Sequence, residues 1–585
     1  MGFFRSEGVV YKPADEVNLG TDSDEAYLSP LVKAPRMAGF LVKLFAWILR
    51  SKIFGVILLY FLKKDNLIHK LVSFAELEES PLYSPLQTPE GRSAKQVYED
   101  WLDATSFICS LSYMELTAAE TPQQEVKCME SSGSPREQVQ EAMECLFFSS
   151  GIASDEAKPS FRRWTIMDYA RAYTSGALTP SMVAERFIKA VERSCSPESN
   201  MSFFISYDAN DIVRQAAEST LRYKRGEPLS VLDGVPIAIK DEIDCTPYPT
   251  TGGTKWLHRL RPCRDDACCV KRLRSCGALL VGKTNMHELG AGTSGINPHY
   301  GATRNPYNAS RVCGGSSSGS AAVVCAGLCP VSLGVDGGAI SGQLPYDQPM
   351  ISVPKVNLPL LKPNMLSSDI TLAKYEKWFD DCSADIKLCC SNALDKLQKC
   401  YGWKTLDVTI PEIETMRLAH YITIGSECTA ALHHFLQKLS FAELGWDVRV
   451  ALSIYGAFNA MEYIKAQRIR GRQMQFHRKI FSMADVIVTP TTGVTAYPIK
   501  DDALKTGELD YINGAALVRY QIAGNFLGLP AVTVPIGYDK SGLPIGLQFI
   551  GRPWAEATLL HIAYAVQALY AWNYRKPKVY YDLLS

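Results

Sequence analysis

The chain has 585 residues, and 61 Lys plus Arg against 61 Asp plus Glu give a formal net charge of +0. That balance excludes a general electrostatic attraction to nucleic acid, so any anionic partner has to be met locally. The 17 cysteines are scattered, with adjacent pairs at Cys268-Cys269 and Cys389-Cys390, which reads as reduced thiols rather than a disulfide scaffold. The length permits anything from one large domain to several. No CxxC pair or histidine cluster has zinc spacing, since His433 and His434 are neighbours that point to different sides of a helix, and neither a metal nor a cofactor is expected.

Met1 to Ser6 fit a myristoylation pattern superficially, but bulky Phe3 and Phe4 oppose it, and the polar, acidic stretch that follows is not a secretory signal. Residues 37–64 are the most apolar stretch. A membrane span needs about 20 apolar residues without charge, and Lys43, Arg50 and Lys52 break this one into short pieces. Lys43, Arg50, Lys63 and Lys64 beside Phe40, Phe45, Trp47 and Phe61 suit helices lying on a lipid surface. The other reading is a helical hairpin buried against the main domain, and the two are compatible. Residues 1–76 are therefore taken as a membrane-associating helical cap.

Residues 77–158 lose periodicity, and Ser80-Pro81, Ser84-Pro85, Thr88-Pro89 and Ser132 to Pro135 read as a largely irregular linker. A short helix from Pro135 to Phe147 is expected within it, while Phe107 to Glu120 fits neither helix nor strand. Residues 159–585 form the main domain. Thr179 caps a helix that has Pro180 at its first position, a second helix contains Ala209 to Tyr223, and Val231 to Lys240 reads as a turn and a buried strand. Asp265-Asp266 is expected to cap the next helix, Gly277 to end it, and Ala278 to Gly282 to form another strand. This alternation argues for α/β layers.

Further on, the proline-rich run Gln343 to Leu366 reads as a loop. Helices are expected at Ser368 to Phe379 and Ser383 to Tyr401, and a strand at Thr405 to Ile410. Val450 to Phe481 reads as one long amphipathic helix with Arg468, Arg470, Arg472 and Lys479 on its solvated face. Strands at Asp485 to Thr489, Ala531 to Pro535 and Gly546 to Ile550 precede a helix from Trp554 to Tyr570.

Three features carry chemistry: Lys240 at the end of a buried strand, the loop Gly314 to Ser320, and the Gly337-Gly338 turn. A lysine buried among apolar groups loses the stabilisation of its charge and becomes a proton acceptor; the plainer reading is a strand-edge lysine that snorkels to water. Strand alternation places Glu242 on the face of Lys240 and turns Asp241 away, and a nearby Glu242 would oppose a neutral lysine. The serine loop is not a flexible linker, because the small apolar helix AAVVCAG follows at once. It is not a Walker loop, because no Gly-Lys-Ser/Thr follows, and not a GxSxG elbow, because no suitable histidine and acid follow.

GGSSSGSAAVVCAGL followed by LGVDGG resembles the amidase signature, and VPIAIKDEID resembles that family's lysine strand. GKTNMHELGAGTSGINPHYGATRNP, DVIVTPTT and NFLGLPAVTVPIGYDKSGLPIGLQFIGRPWAEATLL are similar to its flanking blocks, and the resemblance runs from about Phe161 to the end. The apolar N-terminal region, KKDNLIHK and GRPWAEATLL resemble the plant branch of the family that acts on fatty acid amides. The resemblance implies an α/β amidase-signature fold, a central twisted mixed sheet covered by helices behind the N-terminal cap. It also implies a Ser-Ser-Lys mechanism in which Lys240 takes a proton through Ser316 from a second serine, with Gly337, Gly338, Ala339 and Ile340 forming the oxyanion turn. The implied substrates are N-acylethanolamines, cleaved to fatty acid and ethanolamine, and the implied setting is an intracellular homodimer peripheral to the endoplasmic reticulum or plasma membrane. An amidase for a soluble amide, such as an auxin or glutaminyl amide, would have no use for the apolar stretch 37–64.

The chain departs from the family at one place. The position aligned with the nucleophile is Ile340, and the nearest serine is Ser341, one residue late. Ala339 to Gly342 resemble the end of a helix that the family places well downstream, as though an internal segment were removed at 338/339. A displacement of about 1 Å can cost a hundredfold in rate. The reading is therefore an amidase with Lys240, Ser316 and Ser341 in the catalytic roles, and the alternative is a catalytically inactive, splice-type form that binds acyl lipid or pairs with the full-length enzyme.

Overall fold

In the computed structural model, which describes residues 8–29, 36–81, 126–129, 133–146, 161–336, 357–361, 369–439 and 441–585, the apolar runs of the main domain build two mixed sheets. The first uses β1 (Phe204–Ser206), β2 (Pro236–Lys240), β3 (Leu279–Thr284) and β4 (Val331–Leu333), in the spatial order β4-β2-β3-β1. β2 lies parallel to both β3 and β4, while β1 runs antiparallel to β3. β2 and β3 are buried along their whole length, as expected of parallel strands covered on both faces. Alternation sends Ala238 into one core, and Ile237 and Ile239 into the other.

The second sheet contains β5 (Thr371–Lys374), β6 (Lys404–Asp407), β7 (Val486–Pro490), β8 (Ala531–Tyr538) and β9 (Pro544–Gly551), ordered β6-β5-β7-β9-β8. Leu372, Val486, Val488 and Phe549 pack on one face with the helices Ala384–Tyr401 and Glu556–Tyr570, and Ala373, Ile487 and Ile550 pack on the other. The architecture is the expected mixed α/β one, with its sheet in two pieces.

The apolar N-terminal stretch forms α1 (Gly39–Leu49) and α2 (Phe54–Asp65), bent by 106° to each other. Val42, Ala46 and Leu49 face inward onto Val450, as the buried-hairpin reading expects, while the outer face stays apolar: Phe40, Trp47, Ile53, Phe54 and Val56 are exposed. No single helix among the described residues is long and apolar enough to cross a membrane. Two expected lipid-facing groups turn inward instead. Lys63 Nζ pairs with Glu462 at 2.7 Å, and Phe45 packs into the interface with the main domain.

Several other expectations are corrected. Residues 371–374, expected to be helical, form β5, because pairing with both β6 and β7 outweighs local propensity. The proline-rich run is not wholly loop: Asn357–Pro359 pairs antiparallel with Val126–Cys128, an edge ladder in which a terminal proline is tolerated. The expected helix after Ser134 spans Pro135–Glu144 with a complete capping box, whereas Phe107 to Glu120 lies outside the described residues. Asp266 does not cap Cys268–Ser275. It accepts from Thr246 N at 2.6 Å and from Arg274 Nε at 2.7 Å, while the N-cap position is Ala267.

The small-residue helix after the serine loop is α3 (Ser318–Cys325). A helix that the sequence reading passed over, α4 (Ile413–Leu436), is followed by α5 (Trp446–Tyr455) and α6 (Ala460–Phe481). The single helix expected over Val450 to Phe481 is thus broken, and Asn459 starts α6 with its own capping box. Arg470 and Arg472 are buried rather than solvated. Arg472 pairs with Glu79 at 2.6 Å and Glu412 at 2.7 Å, so a stripe that looks like surface charge fastens the N-terminal segment to the core.

Removing one partner from such a buried ion cluster leaves an uncompensated charge. Arg472→Ala is expected to cost about 3–5 kcal/mol, measured as a shift in the denaturant unfolding midpoint. His477 on the same helix has burial pushing its imidazole down to about 4 from the ordinary 6.5. A lowered folded-state value means that its contribution is complete above pH 6.5 and is lost as pH falls toward 4. His477→Gln is expected to flatten the acid limb of stability in that window, measured by thermal unfolding across pH.

Candidate active site

The site forms where β2 ends against the N-terminus of α3. The side chain of Lys240 is fully buried, and its Nζ donates to Ser316 Oγ at 3.0 Å and to the Val335 carbonyl at 2.9 Å. Glu242 Oε1 lies 2.7 Å from the same nitrogen, an ion-pair contact off the axis of a hydrogen bond. The face assignment from alternation therefore holds, and snorkelling is excluded, because the amine points into the junction of three segments.

The loop geometry explains how Ser316 reaches the lysine. Gly314 and Gly315 have φ of +85° and +74°, and two successive left-handed residues turn the chain sharply enough to present the next side chain to β2. Gly315 N donates to the Thr293 carbonyl at 2.7 Å, and His287 N donates to the Ser316 carbonyl at 3.1 Å, so the loop is held from both sides. Gly319 lets α3 approach closely: a Cβ there would stand 2.6 Å from Asn285 N, Asn285 O and Phe203 O.

Asp241 points away from the site and anchors the strand end. It accepts from Thr251 N at 3.2 Å and Gly253 N at 3.1 Å, bonds the Thr251 hydroxyl, and lies 3.5 Å from the equally buried Lys283. Burial pushes the Asp241 carboxyl up, while Lys283 and Thr251 pull it back. The carboxylate thereby clamps the 251–253 turn against the end of β2.

Of the sequence-derived site residues, the structure brings Lys240 and Ser316 together and adds Glu242. Gly337, Gly338, Ala339, Ile340 and Ser341 lie outside the described residues. The chain leading to them is placed: Val335 O caps the lysine, Ser317 Oγ donates to the same carbonyl at 3.0 Å, and Asn525 Nδ2 donates to Asp336 Oδ1 at 3.1 Å. Sequence reasoning missed Val335, because a backbone carbonyl leaves no side-chain signature, and it missed the clamp at His287, whose block was read only as a flank. Among the described residues no group of His, Cys, Asp or Glu is arranged to hold a metal.

The contact at Gly319 is testable without substrate. Gly319→Ala forces backbone to move and is expected to cost about 1–3 kcal/mol, measured by denaturant unfolding.

The Amidase family profile matches residues 185–345 and 339–560. A fatty acid amide hydrolase of Oryza sativa subsp. japonica is 37% identical over 635 residues, covering 98% of each chain. One from Arabidopsis thaliana is 39% identical over 634 residues, covering 98% of this chain and 99% of its own. Among solved structures, a bacterial aryl acylamidase superposes with a TM-score of 0.61 at 20% identity, over 72% of this chain and 98% of that one. The peptide amidase of Stenotrophomonas maltophilia gives 0.57 at 22% identity, over 72% and 98%. With its lysine strand, its serine loop and full-length relatives above a third identity, the chain belongs to the amidase signature family of hydrolases.

Proposed function

We propose that this protein is an amidase acting on fatty acid amides, with N-acylethanolamines as substrates and a fatty acid and ethanolamine as products. The observation that carries the reading is the 3.0 Å contact between the buried Lys240 amine and Ser316 Oγ. Lys240 accepts a proton through Ser316 from the nucleophile, and Ser316 passes it on to the leaving amine. Ser341 is assigned as that nucleophile, and the backbone of Gly337 to Ile340 as the oxyanion donors, each worth roughly 3–4 kcal/mol at the transition state. The plant relatives that align over nearly the whole chain are fatty acid amide hydrolases, which supports the acyl amide assignment.

A lipid substrate requires an entry from a lipid phase, and the exposed Phe40, Trp47, Phe54 and Val56 flanked by exposed Lys43, Arg50, Lys52 and Lys64 support peripheral attachment through α1 and α2. The attachment is assigned to the endoplasmic reticulum or plasma membrane, with the protein as a homodimer.

One observation favours a second reading, a non-catalytic form that binds acyl lipid or pairs with a longer copy. The alignment with the japonica rice relative has 635 positions and includes 98% of this chain; 98% of 585 is about 573, so about 60 positions have no residue here. The two stretches matched by the family profile meet at 339–345, beside the Gly338-Ala339 junction.

Incubating the purified chain with N-acylethanolamines and with short polar amides separates these readings. Release of ethanolamine from the former is the expected result; cleavage of the polar amides alone overturns the lipid assignment, and cleavage of neither supports the non-catalytic form. Replacing Phe40, Trp47 and Phe54 by Ser is expected to weaken co-sedimentation with phosphatidylcholine–phosphatidylserine vesicles by about tenfold per side chain.

A further inference from the structure

We infer that Lys240 and Ser316 by themselves form a serine–lysine nucleophilic pair that accepts acyl groups from activated esters, a second activity that does not pass through residues 337–341. Around Lys240 Nζ, the Val335 carbonyl at 2.9 Å and the Glu242 carboxylate at 2.7 Å can only accept. Among the described residues in contact with that nitrogen, Ser316 is the one that has a proton to give, and the 3.0 Å line between Nζ and Oγ serves transfer in either direction. The Val335 carbonyl takes one N–H of the amine, and the contact to Ser316 Oγ is the other hydrogen bond that the nitrogen makes among the described residues. That is the arrangement of a base beside its nucleophile.

Access and charge stabilisation are also present. Ser316 is half-buried and Gly315 is exposed, so the hydroxyl is approached from the loop side while the amine stays dry. The N–H groups of Ser317 and Ser318, at the start of α3, have no hydrogen-bond acceptor among the described residues. The amide that follows a nucleophile at a helix start is suited to hold a developing oxyanion.

The step balances within these groups. Ser316 Oγ attacks the ester carbonyl carbon as its proton moves to Lys240 Nζ, and the carbonyl π pair moves to oxygen against the α3 amides. Collapse breaks the bond to the aryloxy oxygen or thiolate sulfur, which leaves as an anion with the bonding pair, and the Lys240 ammonium then gives its proton to solvent water. Water then attacks the acyl-serine, giving its proton to Lys240, and Ser316 recovers its own from Lys240 as the carboxylic acid departs. Esters are the matching class, because with Ser316 consumed as nucleophile no hydroxyl stands between Lys240 and the leaving group. An amine, which leaves only after protonation, is poorly served, whereas a phenolate or thiolate leaves unaided.

The test uses the purified full chain with a fluorophosphonate and, separately, p-nitrophenyl butyrate. No Lys or Arg lies between Arg311 and Lys355, so trypsin leaves Ser316 and Ser341 on one peptide; cleavage before Asp336 separates them. The expected results are an adduct on the Ser316 fragment and a burst of one p-nitrophenolate per chain. Both are abolished in Ser316→Ala, and the rate falls roughly a hundredfold or more in Lys240→Met, with unfolding midpoints showing that the variants are folded. An adduct confined to the Ser341 fragment, or no adduct on a folded chain, overturns the inference. Ethanolamine release from N-acylethanolamines reports on the amidase reading separately: an adduct at Ser316 without amide cleavage removes that reading and keeps this one, and amide cleavage with an adduct only at Ser341 does the reverse.

Discussion

The structure depends on a single buried amine. Lys240 Nζ has no contact with solvent and is met by a hydroxyl from the glycine loop, a carbonyl from the segment just after β4 and a carboxylate two residues along its own chain. A buried cation or amine is tolerated only where its polar contacts are completed locally, so three segments far apart in sequence are fixed at one point. The layers around it serve that point. Gly319 brings α3 close enough to present the loop, Asp241 fixes the strand end from behind, and His287 holds the Ser316 carbonyl.

The same economy appears at the periphery. The helical cap rests on the domain through an apolar face, and it is pinned by charge at its start and end: Arg36 pairs with Glu508 and Asp502, both at 2.8 Å, and Lys63 pairs with Glu462. Such pins leave the opposite face of α1 and α2 free to remain apolar. Arg472, joined to Glu79 and Glu412, does the same for the segment that follows the cap. Charges that composition alone assigns to surface are thus what hold the N-terminal region onto the core.

Much of the site was legible from sequence because its signals are local. Small residues in GGSSSGS state that backbone turns sharply and packs closely there, and an apolar run ending in lysine states that a polar group terminates a buried strand. The misreadings share an opposite cause. Residues 371–374 form a strand because two neighbours supply hydrogen bonds, and Arg470 and Arg472 lie inside because α6 is covered on a face that its polar pattern marks as exposed. Neither fact is written within the segment concerned.

By itself, the sequence determined the family, the strand that carries Lys240, the loop that carries Ser316 and the run Ala339-Ile340-Ser341 that follows the Gly337-Gly338 turn. Each of these is a matter of residue type at short spacing. Only the tertiary structure decided that the lysine is enclosed rather than snorkelling, that Val335 and Glu242 complete its surroundings, and that the cap turns an apolar face outward while Lys63 turns in. The physical reason is that burial and hydrogen-bond partnership are properties of pairs brought together by the fold, here across 76 residues between Lys240 and Ser316 and 95 between Lys240 and Val335, and no window along the chain contains both members.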